Sequence, residues 1–434
     1  MSAPSSLASR PSAMAMPVIV LSVFIIPLAI AGIGITLPNI SRELGSDPFL
    51  LQSVVNGFNV AFALFTLVWG VLSDRLGYRA TVVLGLVIFV AGSVVSVLAP
   101  SLVVLDVGRM VAGIGGAAVL TGASALLSNA WDGAARARNF AIFGTTIGVG
   151  SAVGPVVAGA LVSWIEWRGV FGAFGLIALL GLILSGALPK VKHEHVPGQK
   201  KVDFTLLRNP HFLAMCLVPV TAAIGTVTLG TYLPVVYSAV FGLGGALAGV
   251  FMLFMMVPIM IAPLVVARVL AKSRSITPMK VIYLSLVLIV LGNAALLAVD
   301  PELGMWWAVP GMLLVGAGFG VTIGLVDGQA IGAVPAHRSG AAAGVLNFMR
   351  LGSEAVVIAV FAAAIAVLVG LRIADPSTAA DVAGGAPGHG AEFAGAFHVV
   401  LLGMIIANLI LSAVIILLHR ARIRADRLEV EVVV

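Results

Sequence analysis

The sequence predicts an all-α membrane protein of twelve transmembrane helices arranged as two six-helix bundles. Three observations carry this. Of 434 residues, 60% are hydrophobic and 10% charged, with mean hydropathy +1.15. A water-soluble chain of this length cannot hide that much apolar surface. The apolar residues also fall into runs of about 20, the length at which a helix crosses a hydrocarbon core. These runs lack the alternating polarity of membrane strands. Finally, the basic residues between the runs favour one side.

The runs follow one another as 16–37, 51–72, 80–99, 104–128, 140–163, 169–188, 211–239, 246–267, 280–299, 305–330, 340–370 and 395–418. The first ends at Leu37-Pro38. The second and third flank a polar stretch, Gly70–Arg79. The fourth is rich in glycine and carries Asp106 and Arg109. In the fifth, Gly150, Gly154 and Ala158 recur every fourth residue, a smooth stripe for close helix packing, and Pro155 removes a backbone donor. The tenth carries Asp327 near its end. The eleventh carries Arg350 and Glu354, four residues apart and so on one helical face.

With the N-terminus inside, the inner loops and tails hold 19 of the 24 Lys and Arg residues and the outer loops hold 3. The positive-inside rule then makes both termini cytoplasmic. The expected organisation is a first bundle over 1–188, a solvated linker over 189–210 with a short helix near 203–208, and a second bundle with a cytoplasmic tail over 211–434. The outer loop 372–395 is small and polar and is expected to be flexible. The halves echo each other: Gly108, Gly113 and Gly115 match Gly311, Gly316 and Gly318 at an offset of 203.

Several function classes are disfavoured. The net charge of +6 is explained by topology, and no basic–aromatic interleaving points to nucleic acid. The single Cys216 rules out a disulfide within the chain. No phosphate-binding loop, metal-ligand cluster or nucleophile elbow is present, so neither a cofactor nor a metal nor an enzyme activity is expected. No cleavable leader is expected, because the first apolar run exceeds a signal core.

The stretch Gly70-Val-Leu-Ser-Asp74-Arg75-Leu-Gly77-Tyr-Arg79 concentrates chemistry in a chain poor in charge. Gly70 admits a neighbouring helix. Asp74 can accept hydrogen bonds from the N-terminus of another helix. Gly77 permits a sharp reversal, and Arg75 and Arg79 hold the loop at the cytoplasmic face. A polar turn between two membrane helices would also explain these residues. In pattern and position, however, the stretch resembles the signature loop of the major facilitator superfamily. Gly108-Arg109-x-x-x-Gly113-x-Gly115-Gly116 is similar to that family's fourth-helix motif, which implies a part for Arg109 in proton coupling. A pair with Asp106 in which Arg109 snorkels to water is the alternative. Gly150-x-x-x-Gly154-Pro155-x-x-Ala158-Gly159 resembles the motif of the antiporter branch, with Ala158 replacing a glycine. The resemblance implies that this motif seals the outer side between the halves, whereas packing alone also explains it. Trp167–Phe171 and the segment 328–359 resemble further stretches of drug-efflux members.

The resemblance implies the twelve-helix fold of that superfamily, alternating access, and a small-molecule substrate held midway between the bundles. It also implies proton-coupled efflux of apolar or amphipathic molecules by a monomer in the bacterial inner membrane. A dedicated exporter of one metabolite, such as a siderophore, is the second reading; a transport-inactive sensor or partner subunit is the reading from another class. Asn56, Asn59, Phe251, Met255 and Phe348 are expected to line the cavity, although ordinary packing explains each singly. Two departures matter, one of them that Glu354 stands where relatives generally have a small residue. Many relatives carry an acid in the first helix at the position occupied here by Ala29. The proton site is therefore expected at Glu354 or Asp327, with Arg350 biasing the acid, and Glu354 is favoured because Asp327 lies nearer the helix end. A static Arg350–Glu354 pair is the alternative.

Overall fold

The structure, a computed structural model, describes residues 12–45, 47–191, 204–243, 245–273 and 275–433. Arg10, Lys192, Lys200, Lys201, Asp203 and Arg274 lie outside this set, as does most of the linker.

Among the described residues the secondary structure is helical. The helices are α1 Ala15–Ala31, α2 Leu37–Leu44, α3 Pro48–Leu76, α4 Tyr78–Val97, α5 Leu102–Ala130, α6 Gly133–Leu184, α7 Pro210–Ala222, α8 Thr228–Phe241, α9 Gly245–Lys272, α10 Pro278–Ala295, α11 Val309–Thr322, α12 Leu325–Gly332, α13 Ser339–Gly370, α14 Pro376–Ala383 and α15 Gly390–Val433. Ten stretches among them are long and apolar enough to span a membrane, and α1 is a shorter apolar helix. The twelfth span comes from α6, where Ile165 and Glu166 leave helical geometry and divide two helices. The twelve spans match the twelve apolar runs.

The chain divides into two compact units, one from Met1–Arg208 with Asp327–Phe348, the other from Asn209–Val326 with Met349–Val434. In the first, α5 is the central helix, buried along most of its length. Its glycines let neighbours touch its backbone. A Cβ on Gly108 would stand 2.8 Å from Ser96 N of α4, and one on Gly113 would meet the Phe58 carbonyl of α3. In the second unit α11 has the same place. Gly311 faces the Gly292 carbonyl of α10, and Gly316 faces the Met255 carbonyl of α9. The glycine match at offset 203 thus corresponds to equivalent helix crossings in the two units.

Four local departures from the expected elements have physical causes. The first span ends at Ala31; a 3-10 turn, Ile33–Thr36, follows, and Leu37-Pro38 opens α2 because proline suits a first helical turn. The seventh span contains a π turn at Ala223–Val227 between α7 and α8. The tenth is discontinuous: Ile323 turns extended and Gly324 adopts φ +77°, separating α11 from α12. The loop 372–395 is more ordered than expected. It holds α14, capped by Asp375 accepting from Thr378 N at 2.8 Å. Hydrogen bonds from Ser377 and Thr378 hold the Asp375 carboxyl down at about 2.

The break in α6 is braced. Trp167 Nε1 donates to Glu43 Oε2 of α2 at 2.7 Å, and Arg168 pairs with Glu43 and donates to the Ala99 carbonyl at 3.0 Å. The hydrogen bonds from Arg168 and Trp167 hold the Glu43 carboxyl below the usual carboxylate range. Glu166 itself has φ 59° and ψ 179°, a region open essentially to glycine. Glu166→Gly is therefore expected to raise stability by about 1 kcal/mol, read as a higher unfolding temperature in detergent.

Candidate functional site

Asp74 lies two residues before the end of α3, 1% exposed. Its Oδ1 accepts from Gly340 N and its Oδ2 from Ala341 N, each at 2.7 Å. These are the second and third amides of α13, two of the four donors that a helix start leaves without intrahelical partners. A carboxylate there also meets the positive end of the helix dipole. The Tyr78 hydroxyl donates to the Ala336 carbonyl at 2.7 Å and lies 3.1 Å from Asp74 Oδ1. Arg338 acts electrostatically on the same carboxylate. All these residues belong to the first unit.

Three glycines allow this approach. A Cβ on Gly70 would stand 2.9 Å from the Gly340 carbonyl and 3.1 Å from Gly344 Cα; one on Gly340 would stand 2.6 Å from Asp74 Oδ1. Gly77, at φ +91°, reverses the chain into α4. Arg75 is exposed, and Arg79 reaches the Gly186 carbonyl at 3.4 Å. Sequence reasoning singled out Asp74 and Gly70 but missed Tyr78, Gly340 and Gly344 as their partners. The small-x-x-x-small spacing of Gly340 and Gly344 was the available signal.

Arg109 does not snorkel. It is 2% exposed, and its Nε and one Nη donate to the Val54 and Ala29 carbonyls, each at 3.1 Å. The guanidinium carbon lies 4.6 Å from the Phe58 ring centre and 5.8 Å from that of Phe171. Carbonyl dipoles and ring faces thus surround the charge, and one of those carbonyls belongs to Ala29. Asp106, 7% exposed, bonds Ser53 while its Oδ1 has no hydrogen-bond partner among the described residues.

The fifth-span stripe faces α1. Gly150 abuts Pro27, and a Cβ on Gly154 would stand 3.0 Å from Ala31 Cβ. Gly159 lies beside Ile35, and Pro155 is half-buried. The stripe therefore serves contact inside the first unit. Gly154→Leu is expected to part α1 from α6 and destabilise that unit by about 1–3 kcal/mol, the usual overpacking cost, measurable as a lower unfolding temperature.

Arg350 and Glu354 lie one turn apart on α13, both half-buried. The Arg350 charge acts on Glu354 and on Cys216 of α7. Asp327 is 1% exposed in the first turn of α12. Of the expected cavity residues, Asn56 is exposed, and Asn59 and Phe348 are half-buried. Asn59 Oδ1 has no hydrogen-bond partner among the described residues. Phe251 packs among aromatics, its ring 4.9 Å from Tyr237 and 5.0 Å from Trp306, and Met255 is buried under Gly316. No group of three or more metal-ligating side chains exists among the described residues.

A family model described as Major Facilitator Superfamily matches residues 19–357. The chain belongs to the Major Facilitator Superfamily. Several solved members share its fold. The proton:xylose symporter XylE superposes with TM-score 0.69 at 15% identity, covering 90% of this chain and 94% of that one. The human organic anion transporter MFSD10 gives 0.69 at 15%, covering 92% and 98%. Among curated superfamily relatives, the uncharacterized transporter YebQ of Escherichia coli is 33% identical over 166 residues, 38% of this chain and 36% of its own. The multidrug resistance protein Stp of Mycobacterium tuberculosis is 34% identical over 152 residues, 35% of this chain and 28% of its own. The methylenomycin A resistance protein of Bacillus subtilis is 29% identical over 155 residues, 36% and 33%. The chain spans about a third of the length of these curated relatives. It is an integral multi-pass membrane protein.

Proposed function

We propose that this transporter exports small apolar or amphipathic molecules in exchange for protons, by alternating access, from the cytoplasmic side of the bacterial inner membrane where both termini lie. Relatives named for multidrug and antibiotic resistance support efflux, and the 19:3 distribution of basic residues supports the orientation.

The observation that carries the reading is the content of α13. Its N-terminus is held by Asp74, and the ionisable pair Arg350 and Glu354 lies further along the same helix. Gly340 and Glu354 are separated by about 21 Å at 1.5 Å per residue. Ionisable groups inside membrane helices are costly and mark ion pathways. A change of charge on Glu354 acts on the same helix whose start Asp74 clamps, which links proton exchange to release of the clamp. Arg109 contributes as a fixed cation joining α1, α3 and α5.

The test is flux of an amphipathic fluorescent cation in proteoliposomes under an imposed pH gradient. Uptake into vesicles with an acidic lumen is expected, reversing with the sign of the gradient at zero membrane potential. Flux that ignores the gradient would overturn the coupling.

A further inference from the structure

In the second unit, α9 and α10 pack against α11 through glycine-lined crossings. Together they line a groove of about 620 Å³. Its walls are Val257, Ile261, Val265 and Val269 of α9 and Leu284 of α10, with Ala317 and Val321 of α11 below. The Val266–Val281–Val321 cluster closes its base. The wall residues of α9 recur every fourth position and are exposed. Pro258, Ala262 and Ala317 are the small residues of its lining.

The groove is apolar except at one end, where Lys280 lines it. Lys272, the last residue of α9, lies three positions beyond Val269 and so continues the same face by one turn. Arg268 lies one turn before Lys272. Residues 204–299 contain no Asp or Glu, so α9 and α10 carry no carboxylate of their own beside these cations. Lys280 Nζ is exposed and donates to the Ser275 carbonyl at 2.9 Å, which leaves two of its three donor positions available.

We propose that this groove is a binding site for an anionic phospholipid of the bilayer, with an acyl chain along the valine-lined trough and the phosphate at Lys280 and Lys272. An aliphatic trough leading to a cationic end, on helices without acids of their own, matches the two parts of such a lipid. A zwitterionic lipid fits the trough equally but gains less from the cations. A lysine near a membrane surface is worth about fivefold in binding of an anionic lipid.

The test measures lipid retention by the purified full-length transporter, by native mass spectrometry, with equimolar phosphatidylglycerol and phosphatidylcholine of identical chains. Wild-type protein is expected to retain phosphatidylglycerol preferentially, by at least about tenfold, on the strength of two lysines. Lys280→Gln should reduce the preference about fivefold and Lys272→Gln/Lys280→Gln should bring it near parity. Ala317→Leu should lower retention of both lipids without changing their ratio. Equal retention by wild-type protein would mean ordinary annular lipid and would overturn the site. An undiminished preference in the double variant would overturn the assignment of the headgroup to these lysines. Retention of inorganic phosphate without lipid selectivity would overturn the role of the trough. These variants lie on exposed positions apart from Ala317, so the lysine arm stands even if Ala317→Leu fails to fold.

Discussion

Glu354→Gln is expected to abolish transport driven by a pH gradient while leaving substrate exchange measurable. Gln has nearly the shape of a protonated Glu but cannot release a proton, so the variant is held in one charge state. An isolated charge near the centre of a membrane helix costs about 2.5–3.5 kcal/mol on insertion scales. The cost makes a reversible change of charge a strong conformational bias. At about 1.4 kcal/mol per factor of ten, loss of that bias predicts a fall in pH-driven flux of roughly 100-fold. Arg350, one turn earlier on α13, has no alternative acid on its own helix face; acidic residues within α13 are limited to Glu354. Asp327→Asn is the comparison. Full gradient-driven flux in both variants, at normal expression, would move the coupling site elsewhere. Retained flux in Glu354→Gln with loss in Asp327→Asn would shift the assignment to α12.

Asp74→Asn should leave the fold intact and slow transport by about ten- to a hundredfold. The carboxylate accepts two backbone amides of α13 at 2.7 Å each. An asparagine side chain has one oxygen to offer, so one of those amides faces an N–H donor instead. A buried donor left without an acceptor costs about 1–3 kcal/mol. Loss of the charge at the helix N-terminus adds up to about 2 kcal/mol. Both terms fall only on the conformation in which α3 and α13 touch. The variant should therefore populate the opposite state, visible as increased labelling of a cysteine introduced near Gly344, in a Cys216→Ala background. Wild-type flux and unchanged labelling would show that the contact is a static tie.

Most of the fold was legible because the membrane makes it so. Burial in lipid requires backbone groups to bond within the segment, and twelve apolar runs could therefore become little other than twelve helices. Where the sequence misled, a local backbone choice overrode hydropathy. Gly324 adopts a positive φ inside an apolar run and divides the tenth span, and hydropathy has no means of seeing that. Asp375 has the composition of a flexible loop around it yet caps α14 through two hydroxyls and an amide.

The candidate site divides in the same way. The residues of the second-to-third helix loop stood out through their types and spacing, since charge and glycine are conspicuous in a chain with 10% charged residues. The partners of Asp74 were not legible: Gly340 and Ala341 lie 266 and 267 residues away and contribute backbone amides, which no side-chain pattern announces. The environment of Arg109 was hidden for the same reason, because its hydrogen-bond acceptors are the carbonyls of Ala29 and Val54. The sequence by itself determined that this chain is a twelve-helix membrane protein, how its charges are distributed and which side chains carry ionisable chemistry, because hydropathy and charge belong to residues. The tertiary structure decided which backbone those side chains meet, that the glycine stripe of the fifth span serves α1, and that α9 and α10 leave a trough ending in lysine, because each of these depends on how closely helices distant in sequence approach.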